Sequence, residues 1–376
     1  MTERISRYLR EQQPETPCLV VDLDVVENNY RRMRELLPAA HIFYAVKANP
    51  ADKILTRLGG LGSKFDTASR GEIELVQAAG VAADRISFGN TIKKEKDIAW
   101  AYQQGVRLFA FDSEAELQKL VRVAPGAKVF CRVLVDCGGA EWPLSKKFGC
   151  APEMAKDLLR KAKDWGLDAY GISFHVGSQQ TDLEQWDRAL GQVSQMFFAL
   201  AEEGVDLRMV NLGGGFPARY RAEVNGIEAY CDAVTRALVR HFGNRMPEVI
   251  IEPGRSMVGD AGVIQSEVVL VSRKSANDRK RWVYLDIGKF SGLAETMGES
   301  IKYRLRTPRD GTRAGPVVLA GPTCDSADIL YEKTEYKLPL SLKPGDKVEI
   351  LSTGAYTTTY SSVAFNGFAP LKAICI

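Results

Sequence analysis

A lysine follows a short apolar run near the start of the chain. Residues 42–46 of HIFYAVKANP have the composition of a buried parallel strand, and Lys47 and then Ala-Asn-Pro come directly after them. Lys47 has two interpretations. It is either a charged lysine that extends from the strand end into solvent, or a lysine with a lowered pKa that acts as a nucleophile, typically by forming a Schiff base. These ten residues alone allow both interpretations.

Other polar residues stand at or near the ends of later apolar runs. Each has an ordinary explanation: Asp66 as a helix N-cap, His175 as a hydrogen-bonded core histidine, and Glu252 with Arg255 as a salt bridge. What distinguishes the set is its shared placement at strand ends, which are occupied by Lys47, Asp66, Arg132, His175, Gly213, Gly214, Gly215, Glu252 and Arg255.

The runs that carry these residues alternate with amphipathic stretches such as SRGEIELVQAAG. Eight runs begin near residues 42, 64, 86, 107, 128, 170, 209 and 248. Eight β/α units of this length predict a (β/α)₈ TIM-type barrel, whose strand ends share one face; a doubly wound open sheet is the alternative and usually has fewer strands. The barrel therefore brings the polar residues together.

The glycine run LGGGFP after the seventh strand suits a phosphate site. Loops after the seventh and eighth strands of such barrels commonly bind phosphate, because backbone without side chains lets N–H groups converge on the anion. EPGR adds Gly254 and the cationic Arg255 at the same corner. We therefore expect a phosphate-bearing ligand.

A phosphate site together with a strand-end lysine indicates pyridoxal 5'-phosphate, whose aldehyde forms a Schiff base with lysine. The carboxylate of Glu252 is the candidate partner of the cofactor ring nitrogen. His175 can stack on the ring, Asp66 can hold Lys47, and Ser178 can donate to the phosphate.

After Arg255 the sequence pattern changes to β-rich runs with little helical periodicity, including GVIQSEVVLVSRK and DKVEILSTGAY. These predict a second, antiparallel β domain, with which the strand-like TPCLVVDLD segment can pair. The predicted domains are a barrel over 25–262 and a β domain formed by 1–24 and 263–376.

Composition narrows the class of protein. The 376 residues include 50 basic and 47 acidic ones, without a dense basic cluster, so no nucleic-acid partner is expected. Without a leader-like or membrane-length apolar run, no membrane partner and a cytoplasmic location are expected. Seven cysteines without a C-x-x-C pair, and three scattered histidines, predict no metal site. Cys324 apart, the cysteines are expected to be core residues: Cys18, Cys131, Cys137, Cys150, Cys231 and Cys375.

The motifs FYAVKAN, FDTAS, SFHVGSQ, GGGFP, EPGR, GPTCDSADIL and GAYTTTYSSVAFNGF resemble, in order and spacing, the fold-type III pyridoxal phosphate decarboxylases, closest to ornithine decarboxylase. The resemblance implies an alanine-racemase-like barrel plus β domain, with Lys47 carrying the cofactor and Tyr356 joining the residues around it. It also implies a head-to-tail homodimer in which Cys324 and Asp325 reach the active site of the other subunit.

The resemblance also bears on the small-molecule substrate. Asp325 suits an amino acid with a distal ammonium and no second carboxylate. Eukaryotic ornithine decarboxylases have a Tyr-Asp-His segment where this chain has FSGLAETMGES, so Glu295 is the candidate replacement for the missing aspartate. A carboxylate one methylene longer changes pocket depth, which leaves lysine or a modified diamino acid open.

The expected reaction is α-decarboxylation of L-ornithine to putrescine and CO₂, a step of polyamine biosynthesis. Lys47, Glu252, His175 and Cys324 are the expected catalytic residues, with Cys324 as the acid that protonates Cα, and Asp325, Glu295 and Tyr356 are expected to bind substrate. Alternatives are a broad lysine/ornithine decarboxylase, a diaminopimelate decarboxylase, an amino-acid racemase and an inactive homologue that binds a partner as antizyme inhibitors do.

Overall fold

The computed structural model describes residues 1–135, 138–142 and 147–376, and for Trp142 it describes the backbone alone. The chain forms two compact units. The barrel unit comprises Glu27–Pro217 and Val224–Ser256; the β unit comprises Met1–Val26, Ala218–Glu223 and Met257–Ile376. Residues 218–223, within the range predicted for the barrel domain, thus belong to the β unit.

Helices and strands alternate through most of the chain. The α-helices are α1 Glu3–Gln12, α2 Leu23–Leu36, α3 Asp52–Gly60, α4 Arg70–Ala78, α5 Glu95–Gln103, α6 Glu114–Val123, α7 Pro152–Asp164, α8 Gln185–Glu202, α9 Ile227–Phe242 and α10 Arg255–Val258. The strands are β1 Cys18–Val21, β2 Ala40–Ala45, β3 Lys64–Thr67, β4 Ile86–Phe88, β5 Leu108–Phe111, β6 Lys128–Arg132, β7 Ala140–Trp142, β8 Asp168–Ser173, β9 Ser178–Gln180, β10 Met209–Asn211, β11 Glu248–Ile251, β12 Gly262–Ser272, β13 Arg281–Leu285, β14 Leu305–Arg306, β15 Ala314–Ala320, β16 Ile329–Pro339, β17 Lys347–Leu351 and β18 Lys372–Cys375. Short 3₁₀ segments cover Val46–Ala48, Ala83–Arg85, Lys289–Ser291, Ala294–Glu299 and Phe365–Gly367.

The barrel unit contains a closed parallel barrel with the strand order β10-β11-β2-β3-β4-β5-β6-β8, and β8 pairs with β10. This confirms the predicted count of eight strands. Large apolar side chains from different strands fill one layer, among them Phe43, Phe130, Tyr170 and Met209. Such a barrel is a packed core, so the loops after its strands are left to build the site.

Local sequence signals set where the barrel helices begin and end. Ser69 is the N-cap of α4, and its side chain accepts from the Glu72 N–H at 3.3 Å. Two residues after α4, Gly80 adopts φ +82°, a conformation in which a Cβ is strained. Caps of this kind let each helix end and return the chain to the next strand.

The β unit contains an eight-stranded sheet, with the order β14-β17-β12-β13-β15-β16 and with β1 between β12 and β18. The predicted fold class of barrel plus β domain is confirmed. The sheet is mixed rather than wholly antiparallel, because β1 pairs in parallel with β18 and β13 pairs in parallel with β15. Strands far apart in sequence form both parallel pairs, so local patterns do not reveal their direction.

The first helix, α1, was not predicted from the charged N-terminal segment. Thr2 caps it by accepting from the Ile5 N–H at 3.2 Å. Its buried residues Ile5 and Leu9 pack in one core cluster with Cys18 and Val263 of the sheet. An amphipathic helix with only two buried positions gives a weak apolar signal among so many charges.

Most cysteines predicted to be core residues are buried, namely Cys18, Cys131, Cys150 and Cys231. Cys375 is partly exposed, and Cys137 lies outside the described residues. Within the described ranges, every helix is too short or too polar to cross a bilayer.

Candidate active site

Lys47 lies just beyond the buried strand that the sequence singled out. Strand β2 ends at Ala45, and Lys47 occupies the 3₁₀ turn that follows. Its side chain is 48% exposed, and its Nζ lies 3.3 Å from Asp66 Oδ2. The turn moves the ammonium out of the strand, so the barrel core does not have to bury the charge. The expectation that Lys47 ends the strand itself is wrong by two residues.

Asp66, in the adjacent strand β3, is the buried partner of this lysine. The register pairs Asp66 with Ala45, which places the carboxylate beside the turn. Its Oδ2 faces Lys47, whereas its buried Oδ1 accepts no hydrogen bond from the residues that the structure describes. A Cβ at Gly89 would lie 1.9 Å from Oδ1. Gly89, which the sequence analysis missed, therefore makes room for this carboxylate.

His175 is a neutral imidazole in this structure. It follows β8, and its Nδ1 accepts a hydrogen bond from the Gly177 N–H at 2.9 Å. Burial, and then the positive charges of Arg132 and Lys47, lower the pKa of His175 to about 3. At neutral pH the ring therefore carries its proton on Nε2, since Nδ1 is the acceptor.

Glu252 follows β11, and its pKa is shifted upward, whereas that of His175 is shifted downward. Burial, and then the negative charge of Asp66, raise the pKa of Glu252 to about 7, against the opposing effects of Lys47, Asn211 and Arg132. Asn211 Nδ2 donates a hydrogen bond to Glu252 Oε1. A carboxyl group with this pKa can either hold or release a proton near neutral pH.

The glycine turn after β10 packs against the loops that follow β8 and β11. Gly213 adopts φ +64°, and a Cβ there would lie 2.4 Å from Phe174 O. A Cβ at Gly214 would lie 2.7 Å from Glu252 O, and one at Gly215 would lie 2.6 Å from Gly177 O. The turn thus has no room for side chains and brings its own backbone close to the loops after β8 and β11.

Two arginines add to the positive charge of Lys47 at this end of the barrel. Arg255, which follows Gly254 at the start of α10, is buried and donates from Nη2 to Ser178 Oγ at 3.1 Å. Arg132 ends β6, and its guanidinium lies 5.1 Å from the centre of the Phe148 ring. Burial lowers the pKa of Arg132 without neutralising a group of such high basicity.

The structure therefore brings the predicted barrel residues together. Glu252, His175 and Arg132 each have their pKa shifted by charges of the same group of residues. Hydrogen bonds and close backbone contacts join the remaining members, which are Lys47 with Asp66, Ser178 with Arg255, and the turn Gly213–Gly215 with Glu252.

The four other predicted residues belong to the β unit. Cys324 is exposed in the loop between β15 and β16, and its N–H donates to Asn366 Oδ1 at 2.9 Å. Asp325 Oδ1 accepts from the Ala327 N–H at 2.8 Å. Glu295 is buried in the 3₁₀ segment Ala294–Glu299, and Tyr356 adopts φ +56° after β17.

Asp328 is a second residue that the sequence analysis missed. This buried carboxylate accepts from the Lys289 N–H at 2.8 Å and from the N–H and hydroxyl of Thr323 at 3.1 and 2.7 Å. It ties the loop that carries Cys324 to the segment around Lys289. The second acidic residue of GPTCDSAD was the available signal, because a short loop with a buried acid commonly closes on its own N–H groups.

Comparisons with known proteins identify the family of the chain. Residues 23–259 match the family described as pyridoxal-dependent decarboxylase, pyridoxal binding domain. The chain is 36% identical over 370 residues to the lysine/ornithine decarboxylase of Selenomonas ruminantium, across 98% of this chain and 91% of that protein. It is 31% identical over 366 residues to the ornithine decarboxylase of Mus musculus, across 93% and 78% of the two chains. A crystal structure of SrLDC in complex with PLP and cadaverine matches it with a TM-score of 0.89 and 35% identity, over 100% of this chain and 94% of that one.

The strand ends of this parallel barrel carry a lysine, a carboxyl group and a glycine-rich turn beside an arginine. These are the features of a pyridoxal phosphate site of the fold-type III class. The chain belongs to the pyridoxal-dependent decarboxylases.

The residues present fit pyridoxal 5'-phosphate, the cofactor of this family. Lys47 supplies a half-exposed amine, and Arg255 with Ser178 supplies donors for a phosphate. The turn Gly213–Gly215 packs its backbone against the loops that carry His175 and Glu252, which a single Cβ would prevent. Glu252 supplies a carboxyl group that holds or releases a proton near neutral pH.

Proposed function

We propose that the protein decarboxylates a basic diamino acid at its α-carbon, and that its main substrate is L-ornithine, which yields putrescine and CO₂ for polyamine biosynthesis. The observation that carries the proposal is the group formed by Lys47, Asp66, Arg132, His175 and Glu252 at one end of the barrel. The decarboxylase family supplies the reaction class, and the residues of the β unit bear on the substrate.

In this proposal the cofactor is attached to Lys47, and its phosphate is held by the groups at the glycine-rich corner. Those groups are Ser178, Gly213, Gly214, Gly215, Gly254 and Arg255, and Tyr356 is a further residue that we propose to bind the cofactor. His175 would pack against the ring of the bound cofactor, and Arg132 would add positive charge to the same site. When bound, pyridoxal phosphate accepts the electron pair that the departing CO₂ leaves on the α-carbon.

Asp66 has the task of orienting Lys47. At 3.3 Å its Oδ2 holds the ammonium of Lys47, whose side chain is half-exposed. Lys47 can then leave its position when the substrate amine takes its place, and return when product is released. A buried carboxylate thus orients a half-exposed lysine.

Glu252 has the task of keeping the ring nitrogen protonated. A carboxylate beside that nitrogen stabilises its positive charge, and burial strengthens the interaction because water competes less. The neutral His175 adds no charge on the same ring, since its pKa of about 3 keeps it unprotonated at working pH.

Cys324 and Asp325 act on the substrate in this proposal. Cys324 delivers a proton to the α-carbon after CO₂ has left, and Asp325 with Glu295 binds the distal ammonium by charge-assisted hydrogen bonds. Because Cys324 is exposed in its own chain, we propose a head-to-tail homodimer in which each chain lends Cys324 and Asp325 to the barrel of its partner.

Lysine is the second candidate substrate. The relative from Selenomonas ruminantium is a lysine/ornithine decarboxylase and is 36% identical to this chain. Discrimination between substrates that differ by one methylene is worth only about 1–3 kcal/mol in a binding pocket. We therefore expect activity on both diamino acids, with ornithine preferred.

The test is CO₂ release from ornithine, lysine, arginine and diaminopimelate at equal concentrations, with kcat/KM determined for each. We expect the order ornithine, then lysine, with little release from the other two. Glu295→Ala should lower kcat/KM for both diamino acids by about 10- to 100-fold, because charged hydrogen bonds contribute about 1.5–3 kcal/mol.

Glu332→Ala, which removes an exposed acid from the same unit, is the matched control and should leave all four values unchanged. Preference for diaminopimelate or arginine would overturn the ornithine assignment. Equal damage by Glu295→Ala to every substrate would make Glu295 a scaffold residue.

A further inference from the structure

Asn211 is a buried amide at the centre of the barrel site. It is the last residue of β10 and is 1% exposed. The register places it beside Ile250 of β11 on one side and Ser173 of β8 on the other. It therefore stands two residues before the level of both Glu252 and His175.

Two hydrogen bonds fix which way the amide points. Asn211 Oδ1 accepts from the Gly213 N–H at 2.9 Å, and Asn211 Nδ2 donates to Glu252 Oε1. A backbone N–H can only donate, so the oxygen of the amide must face Gly213. The NH₂ group is then committed to Glu252, and Oε1 must act as the acceptor.

This arrangement distinguishes the two oxygens of Glu252. Oε1 is held by the amide, so a proton on the carboxyl group belongs on Oε2. The charged groups that act on Glu252 come from three directions, with Asp66 in β3, Lys47 in the turn after β2 and Arg132 in β6. Asn211 is an uncharged neighbour of Glu252, and its hydrogen bond favours the ionised form of the Glu252 carboxyl group.

We propose that Asn211 is a positioning residue that holds Glu252 by Oε1, favours its ionised form, and leaves Oε2 to exchange a proton with the ring nitrogen of the cofactor. The last part rests on the proposed role of Glu252. An amide suits this place because it donates a hydrogen bond without adding charge. An aspartate there would face Glu252 with a second acid, and alanine would leave Oε1 unpartnered.

The first experiment measures the titration of Glu252 itself in the full chain without cofactor. Isotope-edited infrared spectra with ¹³C-carboxyl glutamate, minus those of Glu252→Gln, isolate its carboxyl band. In Asn211→Ala we expect the pKa of Glu252 to rise by about 1, since a hydrogen bond to the charged form is lost. In Asn211→Asp the facing carboxyl groups should share a proton to still higher pH.

Asn211→Asp keeps the side-chain size and the acceptor for Gly213, so the test does not depend on the alanine variant folding. Ser87→Ala is the matched control, because it alters a buried polar side chain of another barrel strand, β4. An unchanged Glu252 titration in both Asn211 variants would overturn the proposal.

The second experiment uses the holoenzyme with ¹⁵N-labelled pyridoxal phosphate. In Asn211→Ala the ¹⁵N shift of the ring should move toward its unprotonated value, with about a tenfold change in the ratio of the two forms, as a pKa change of about 1 requires. The proposal would also be overturned if the ring ¹⁵N shift changed in Glu252→Gln and stayed the same in Asn211→Ala. A ring ¹⁵N shift that stayed the same in Glu252→Gln would instead contradict the proposed role of Glu252. The infrared titration would then still decide whether Asn211 acts on Glu252.

Discussion

Replacing Glu252 by glutamine should change how the stability of the cofactor-free protein depends on pH. The pKa of His175 falls from 6.5 to about 3 on folding, so between these values the unfolded chain binds a proton that the folded one does not. The free energy of unfolding then rises with pH by about 1.4 kcal/mol per pH unit. The pKa of Glu252 rises from 4.5 to about 7, so its contribution has the opposite sign between those values.

The two contributions overlap and cancel between about pH 4.5 and 6.5. Over that interval each amounts to about 2.7 kcal/mol, from about 1.4 kcal/mol for each of two pH units. Removing Glu252 leaves the His175 contribution alone, so Glu252→Gln should gain about 2.7 kcal/mol relative to wild type from pH 4.5 to 6.5. His175→Gln should lose the same amount over the same interval.

The assay is urea unfolding of the cofactor-free protein at pH 4.5, 5.5 and 6.5, extrapolated to water. Differences between variant and wild type remove the contribution of distant groups. Glu153→Gln, which removes an exposed carboxylate of the same unit, controls for the loss of one charge. Curves for wild type and Glu252→Gln that stay parallel within about 0.5 kcal/mol would refute the argument that burial favours neutral Glu252.

Two further predictions concern the residues of the β unit. In Cys324→Ala, part of the product should appear as an aldehyde instead of the amine, because no acid is held at the α-carbon; the two electrons released convert pyridoxal phosphate into pyridoxamine phosphate. Chromatography measures the ratio of aldehyde to amine, and an unchanged ratio at a lower rate would exclude Cys324 as that acid. When Lys47→Ala and Cys324→Ala chains exchange subunits, about half of the dimers are mixed and each has one intact site, so amine production should rise above that of the two parent variants by about a quarter of the wild-type activity. Demonstrated exchange without recovery would place Cys324 in the site of its own chain.

The barrel was predictable from sequence because its signals are local. Each buried strand is a short apolar run, and each helix carries its own caps, as Ser69 does for α4. The parallel pairing of β1 with β18 joins residues more than three hundred positions apart, and nothing in either segment specifies it. Direction in such a sheet depends on tertiary packing rather than on propensity.

The site was predictable to the extent that one rule covers it. Polar residues at the ends of buried strands converge at the mouth of a barrel, and this rule found Lys47, Asp66 and Glu252. Asn211 ends a buried strand in the same way, directly before the glycine turn, and the rule should have selected it. Gly89 could not be found from its neighbours, because its importance comes from the space that Asp66 needs.

The attachment point of the cofactor tests the central claim most directly. Borohydride reduction of the holoenzyme fixes pyridoxal phosphate on the lysine that holds it, and peptide mass spectrometry then locates the adduct. We expect the adduct on Lys47 alone, and none in Lys47→Ala reduced under the same conditions. An adduct on another lysine, such as Lys289 of the β unit, would contradict the account.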